Sequence, residues 1–297
     1  MKKLIAILLL ACMLLTLASC GKKDKEPAAR TFTGTMEDMN LTIIATGDTY
    51  DMQVMSKEAQ ATGAYTRKDN GTYVLDELEQ FGGLTLTDCG NGFYKVTDSE
   101  LEKDRLNRYT AEARIKLVDG STYEAYMFQQ VVMTYQTVGE RKIVRQEAGD
   151  SDFAAEVWCE GANMSVYDVA VGSYTTQTNG DTKQVSIEIG YDTLAATLVG
   201  DKLTVSDGDE EFVLTRINDD TYMAVVDGEG AILRLKANGV AEILEEEESY
   251  TTGSINYEAG KTLEIVGDDG VIVSVKIDGN TLVYGNSSAS YPLTEVK

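Results

Sequence analysis

The chain contains no histidine among its 297 residues. Without imidazole, Ser-His-Asp and Cys-His catalysis and histidine-based metal sites are excluded. From residue 23 onward the sequence also lacks Gly-x-Ser-x-Gly, Gly-x-x-x-x-Gly-Lys and Ser-x-x-Lys motifs, so esterases, nucleotide hydrolases and β-lactamases are disfavoured. We therefore expect that this protein is not an enzyme. A carboxylate-dependent hydrolase, which needs only two acids in a cleft, stays open as a less favoured alternative.

Basic residues are scarce as well. Lysine and arginine number 26 against 49 aspartates and glutamates, which gives a net charge of −23. Such a surface repels phosphate backbones, so we expect no nucleic-acid partner. Acidic loops at 207–211, 218–220 and 268–270 are rich in oxygen ligands. None of these loops has the residue spacing of a calcium-binding loop. We therefore expect them to form turns without a metal ion, and calcium binding is the weaker alternative.

Long apolar runs are also missing, apart from residues 4–17, which follow Lys2 and Lys3. This run is shorter than the roughly 20 residues of a comfortable transmembrane helix, and it reads as the core of a signal peptide. It ends in Leu17-Ala18-Ser19-Cys20. A polar stretch at 20–30, which holds one of the two prolines, is expected to be a flexible tether.

The segment Leu17-Ala18-Ser19-Cys20 resembles the lipobox of bacterial lipoproteins, with an ordinary secretory signal as the alternative. The resemblance implies that residues 1–19 are removed and that Cys20 carries a diacylglycerol and an acyl chain such as palmitate. Together these lipid chains anchor a protein stably to a membrane. Position 21 is Gly rather than Asp, so the inner-membrane sorting signal is absent. We expect an exported protein on the outer face of a Gram-positive cell membrane or on a Gram-negative outer membrane.

Period-two alternation between Asn-Gly and Asp-Gly pairs predicts an all-β chain of antiparallel hairpins. Residues 112–118 form one such strand; Ala113, Ile115 and Leu117 share its core face, and Asp119-Gly120 supplies the turn. Residues 271–277 form another strand, before Asp278-Gly279. The capping-box spacing of Ser99 and Glu102 predicts one short helix near 99–110. Residues 152–159 fit either a short helix or a strand.

Internal repeats suggest how the hairpins are organised. Leu203 precedes Leu214-Thr215 by eleven residues, and Leu282 precedes Leu293-Thr294 by the same step. Leu75 and Leu86 keep this step in a looser copy. The two better copies cover 172–217 and 253–296, although any β-meander places leucines at hairpin spacing.

This pattern resembles the small lipocalin-like domains of Gram-positive surface lipoproteins. The resemblance implies two small antiparallel barrels or half-barrels, whose interiors either hold a ligand or are filled by side chains. It carries no catalytic residues. We place the N-terminal β domain at 31–147 and the C-terminal β domain at 148–297.

Two further cysteines, Cys89 and Cys159, belong to the exported part of the chain. An exported compartment permits a disulfide between them, and free thiols are the alternative. Four consecutive glutamates at 245–248 are interpreted as a solvated loop, with a docking patch for a basic partner or a cation as the alternative.

The expected function is a membrane-anchored, monomeric binding or interaction module of the cell envelope. Its partner would be an envelope protein, a glycan or a small apolar ligand, and no cofactor beyond the lipid on Cys20 is expected. A structural or envelope-stress spacer without a ligand is the runner-up.

Overall fold

The computed structural model describes residues 28–297 except 77–78, 80–81, 98–112, 149–152, 191, 208–209 and 227–228. These residues form 24 β-strands and no α-helix, which confirms the predicted all-β class. The helix predicted near 99–110 and the lipidation site Cys20 lie outside the described residues. Within that part of the chain, no helix is long and apolar enough to cross a membrane.

The strands follow one another in chain order with short turns. The first eleven are β1 (Arg30–Met36), β2 (Met39–Thr46), β3 (Thr49–Ser56), β4 (Ala61–Arg67), β5 (Tyr73–Leu75), β6 (Leu86–Gly90), β7 (Phe93–Val96), β8 (Ala113–Leu117), β9 (Thr122–Val138), β10 (Arg141–Ala148) and β11 (Phe153–Glu160). The others are β12 (Asn163–Asn179), β13 (Thr182–Ile189), β14 (Asp192–Val199), β15 (Lys202–Asp207), β16 (Glu210–Arg216), β17 (Thr221–Val226), β18 (Glu229–Leu235), β19 (Val240–Tyr250), β20 (Ser254–Glu258), β21 (Thr262–Gly267), β22 (Gly270–Asp278), β23 (Thr281–Gly285) and β24 (Ser290–Glu295).

The chain divides into two compact units, and the division differs from the expected boundary at 147/148. The first unit holds the chain through Gln136, Gln146–Ser151 and Ile255–Lys297, and the second holds Thr137–Arg145 and Asp152–Ser254. The reason is a non-local strand pair: β24 pairs antiparallel with β1. The last strands therefore belong with the N-terminal ones, a pairing that local sequence patterns do not encode.

In the first unit, consecutive antiparallel pairs run from β21 through β24, β1, β2 and β3 to β9. Both predicted hairpins are confirmed in register. Ile115 pairs with Ala125 across β8 and β9, and Asp278 pairs with Thr281 around the Gly279 turn. Alternation puts one face of each strand into a core, as in β3, where Tyr50, Met52 and Val54 are buried.

The face of β8 that points away from Ile115 is less exposed to solvent than strand alternation predicts. Alternation turns Arg114 away from the core face of Ala113, Ile115 and Leu117, yet Arg114 is buried, and its guanidinium lies 3.5 Å from the ring centroid of Phe128. The cation–π contact and the long aliphatic stem explain how this face accommodates a charge away from bulk water.

The second unit contains a closed antiparallel barrel of eight strands. Neighbouring strands pair in sequence from β12 to β19, and β19 then pairs back with β12 to close the ring. The expected barrel class is therefore confirmed. Residues 153–160, ambiguous in the sequence, form strand β11, which pairs with the first half of β12.

The repeated leucine pairs are cross-strand partners. Leu203 lies opposite Leu214 in the second unit, and Leu282 lies opposite Leu293 in the first. All four side chains are buried. The eleven-residue step in these two copies thus arises from hairpin pairing, which sets the two leucines opposite each other and places both in a core. In the looser copy, Leu75 lies in β5 and pairs with Tyr65 instead of Leu86.

Candidate functional site

The interior of the eight-stranded barrel holds the candidate site. Every barrel strand contributes a side chain to one apolar cluster, so this cluster must face inward. Its buried members are Val185, Ile187, Ala196, Leu198, Leu203, Val205, Leu214, Tyr222, Leu233 and Ala241. A cavity of about 550 Å³ lies beside this cluster and is bounded by β14, β15, β16, β18 and β19. The barrel interior is thus packed in part and open in part.

The barrel wall has a short ladder at one position. Between β16 and β17, the ladder contains only two residue pairs in the described chain, Thr215 with Met223 and Arg216 with Tyr222. The first half of β16 therefore pairs with β15 alone. On the outer face near this seam, Val213 and Val225 are 50% and 68% exposed.

The cavity wall is mainly hydrocarbon. Aliphatic and aromatic residues come from five strands of the wall, with Phe212 and Leu214 on β16 opposite residues of β18 and β19. The apolar lining residues are Leu194, Val205, Phe212, Leu214, Ala231, Ile232, Leu233, Ile243 and Leu244. A concave space of this size with an apolar lining has the properties of a small-molecule site.

One side of the cavity is acidic. Glu245, Glu246 and Glu247 all line it. The prediction of a solvated loop for residues 245–248 is wrong, because these residues lie within strand β19, which pairs with β12 and β18. Glu246 is tied to the wall, because it accepts hydrogen bonds from Ser165 Oγ at 2.9 Å and from the backbone N–H of Gly230 at 2.8 Å.

Asp168 on β12 joins this acidic side. It is the cross-strand partner of Glu245, and antiparallel partners project from the same face of a sheet. Burial raises the pKa of the Asp168 carboxyl, and the charges of Glu247 and Glu245 raise it further. No sequence pattern points to this residue, because 77 positions separate Asp168 from Glu245 and no motif links them.

The outer face of β18 and β19 is held by a buried ion network. Arg234 donates to Glu156 and to Glu242, at 2.9 Å and 2.6 Å for its Nη1 atom. Arg145 also donates to both carboxylates, at 2.7 Å and 2.9 Å. Lys236 contacts Glu242 from the end of β18. The network connects β10 and β11 to the strands that bound the cavity.

The pKa values of the two carboxyls reflect their partners. Burial raises the pKa of Glu156, but hydrogen bonds and charge from Arg234, the charge of Arg145 and a hydrogen bond from the Trp158 indole outweigh it and lower the pKa to about 2. Burial opposes ionisation of Glu242 as well, and Arg145, Lys236 and Arg234 together lower its pKa. Both side chains are thus ionised at neutral pH, and the network is structural.

The two cysteines singled out in the sequence lie in different units. Cys89 is exposed on β6, and its thiol donates to the Thr87 carbonyl at 3.5 Å. Cys159 is buried on β11 and donates weakly to the carbonyl oxygens of Gly161 and Gly253. Both are free thiols in the structure. A disulfide bridge between them stays a prediction, which counting the free thiols of the protein would test.

One of the acidic segments considered for calcium, residues 218–220, forms a turn. Asn218 Oδ1 accepts the backbone N–H groups of Asp220 and Thr221, at 3.1 Å and 2.9 Å. Within the described ranges, no group of three or more Asp, Glu or Cys side chains is arranged to hold a metal ion.

No protein-family model, curated protein or solved structure matches this chain.

Proposed function

We propose that this chain is an exported, lipid-anchored protein of the cell envelope, whose eight-stranded barrel binds a small apolar or amphiphilic molecule. The observation that carries the proposal is the cavity of about 550 Å³ beside the barrel core. Its volume falls within the roughly 300–1,000 Å³ typical of small-molecule sites. An eight-stranded barrel is also wide enough to hold one small ligand when side chains leave part of its interior open.

The cavity favours binding over the two alternatives. A spacer without a ligand needs only filled cores, and an unfilled apolar space would cost it stability. A carboxylate-dependent hydrolase needs two acids on either side of a scissile bond, whereas Glu245 and Asp168 are neighbours on one side of the wall. Binding is therefore the function best supported.

A dye-binding experiment tests the proposal. We would use the chain from Cys20 onward without lipid, which keeps every described residue, and titrate it with N-phenyl-1-naphthylamine, a neutral dye that brightens in apolar surroundings. We expect saturable binding of one dye per chain. Ala231→Phe, which places a ring in the cavity, should weaken binding about tenfold or more. Val225→Phe on the exposed outer face is the matched control and should bind as the parent does.

Two results would count against the binding proposal. One is an absence of saturable dye binding to the folded chain. The other is equal weakening by Ala231→Phe and Val225→Phe, because the dye would then sit on the outer surface.

The anchor is tested separately in cells. Cys20→Ala should abolish incorporation of labelled palmitate and should release the protein or arrest its maturation. Cys89→Ala is the matched control and should stay anchored. Unchanged membrane attachment of Cys20→Ala would remove the lipid anchor from the proposal without affecting the barrel.

A further inference from the structure

The acidic side of the barrel cavity carries charge that the protein itself does not neutralise. Within the described chain, Asp168, Glu245 and Glu247 form no ion pair. The carboxylates of the outer network behave differently, since Glu156 and Glu242 each contact two or more cationic side chains. Strand β19 thus carries Glu242, which is paired with cationic side chains on the outer face of the barrel. It also carries Glu245 and Glu247, which lie beside the cavity without a cationic partner among the described residues.

A β-bulge lies among these acids on β19. Val166 pairs with Glu248 and Tyr167 pairs with Glu246, so the register shifts and Glu247 has no partner on β12. Such a bulge inserts one residue and re-aims its side chain. Regular alternation would place Glu246 and Glu248 on one face and Glu245 and Glu247 on the other; the bulge interrupts this pattern beside Asp168.

The arrangement is electrostatically unfavourable when the cavity is empty. Asp168 is half-buried, and the charges of Glu245 and Glu247 oppose its ionisation in addition to burial. A cation at this position would relieve the repulsion among three carboxylates, and attraction between unlike charges strengthens as water is excluded. The hydrocarbon wall begins immediately beside them, with Ile243 two residues before Glu245 on the same strand.

Charge complementarity and the apolar lining together identify the chemistry of the occupant. We propose that the cavity selects an amphiphilic organic cation, with its hydrocarbon body against Phe212, Leu214 and Ile243 and its cationic head between Asp168, Glu245 and Glu247. This inference rests on the proposed binding function and specifies its ligand class. Quaternary and primary alkylammonium compounds both have this chemistry.

A set of ligands with the same chain and different heads tests the selectivity. We would measure displacement of N-phenyl-1-naphthylamine by octyltrimethylammonium, octanol and octanoate, using the chain from Cys20 onward. The cation should bind at least about tenfold more tightly than octanol, and octanoate should bind more weakly than octanol, because of three nearby carboxylates. Raising the salt concentration should reduce the cation's advantage.

Variants locate the head group. The double variant Glu245→Gln/Glu247→Gln, and separately Asp168→Asn, should lower the affinity for the cation toward that for octanol, so that the ratio of the two affinities approaches one. Glu248→Gln is the matched control, since Glu248 is exposed on the same strand and does not line the cavity. It should keep the full preference for the cation. Ala231→Phe should weaken all three ligands.

The outcomes separate this inference from the binding function on which it rests. Equal affinity for octanol and the cation would overturn the selectivity and leave the binding function intact. Cation binding that survives Ala231→Phe would overturn it too, because the carboxylates would then act as an ion-exchange surface. Displacement of the cation by equimolar calcium would likewise overturn it in favour of a metal site. Failure of all three ligands and of the dye would instead reject the binding function.

Discussion

Arg234 and Glu156 form a two-pronged ion pair in the second unit, with Nη1 2.9 Å from Oε1 and Nη2 3.0 Å from Oε2. Glu156 is 0% exposed and Arg234 is 9% exposed. A guanidinium and a carboxylate in this geometry match each other's planar shape, and neither is left with an unpaired charge. The pair fixes β18, which bounds the cavity, against β11.

Removing one member of this pair should destabilise the protein strongly. Among the described residues, Arg234→Met leaves buried Glu156 with Arg145 as its remaining cationic partner, and breaking a buried ion pair costs about 3–5 kcal/mol. Urea unfolding followed by Trp158 fluorescence measures the loss, since the Trp158 indole donates to Glu156 at 2.7 Å. Lys261→Met, which breaks the exposed pair with Glu258, is the control and should hardly move the midpoint.

The double variant Arg234→Met/Glu156→Met sharpens the interpretation. It removes both charges, so the loss should be smaller than the sum of the two single losses. A purely additive result would mean that the two side chains contribute independently and that their pairing is unimportant for stability.

Acid should unfold the protein partly through Glu156. Its pKa falls from an ordinary 4.5 to about 2 on folding. The stabilisation is therefore fully present above pH 4.5 and is lost as the pH falls through the folded value near 2. The shift corresponds to about 3 kcal/mol. Stability measured between pH 6 and 2 should decline less steeply in Glu156→Gln than in the parent chain.

Glu248→Gln is the control for this pH dependence, because it removes an exposed carboxylate from the same unit. Its slope should match that of the parent chain. Parallel slopes for the parent and Glu156→Gln would show that Glu156 titrates alike in the folded and unfolded states.

The two thiols should differ sharply in reactivity. In the chain from Cys20 onward with Cys20→Ser, we expect Ellman's reagent to modify one thiol at once, because Cys89 is exposed, and the second only on unfolding, because Cys159 is buried. Cys89→Ser should abolish the fast phase. Finding no reactive thiol after unfolding without reductant would instead support the predicted Cys89–Cys159 bridge.

The sequence predicts features that depend on neighbouring residues. The β8–β9 hairpin follows from the alternation of Ala113, Ile115 and Leu117 and from a turn that only a few residue pairs favour. The register of the Leu203–Leu214 hairpin is visible as a repeat for the same reason. Each of these signals lies within about fifteen residues, and local backbone geometry determines its outcome.

The site depends on contacts between distant segments, which explains why the sequence does not reveal it. Barrel closure brings Asp168 on β12 against Glu245 on β19. The glutamates at 245–248 show no apolar alternation, so they resemble a loop, yet backbone pairing with β12 keeps them in a strand, and Glu245 also pairs with β18. The ion partners of Glu156 are distant as well, since Arg234 is 78 residues away.

Gly172 marks the place where β12 changes partners, and its replacement should disturb the barrel. Tyr167 and Ala170 on β12 pair with β11, whereas Ser173 onward pairs with β13. A Cβ atom on Gly172 would collide with the backbone carbonyl of Glu188 on β13. Backbone cannot move aside as a flexible side chain can, so Gly172→Ala should destabilise by about 1–3 kcal/mol.

Gly180→Ala provides the comparison for Gly172→Ala. Gly180 has a φ of 63° and open space around its Cα, so its replacement should cost only the roughly 1 kcal/mol of an unfavourable backbone conformation. Because the collision at Gly172 also strains the β12–β13 contact, Gly172→Ala should weaken dye binding in the cavity, whereas Gly180→Ala should not. Equal stability and equal dye affinity in the two variants would show that β12 and β13 do not approach closely at this corner.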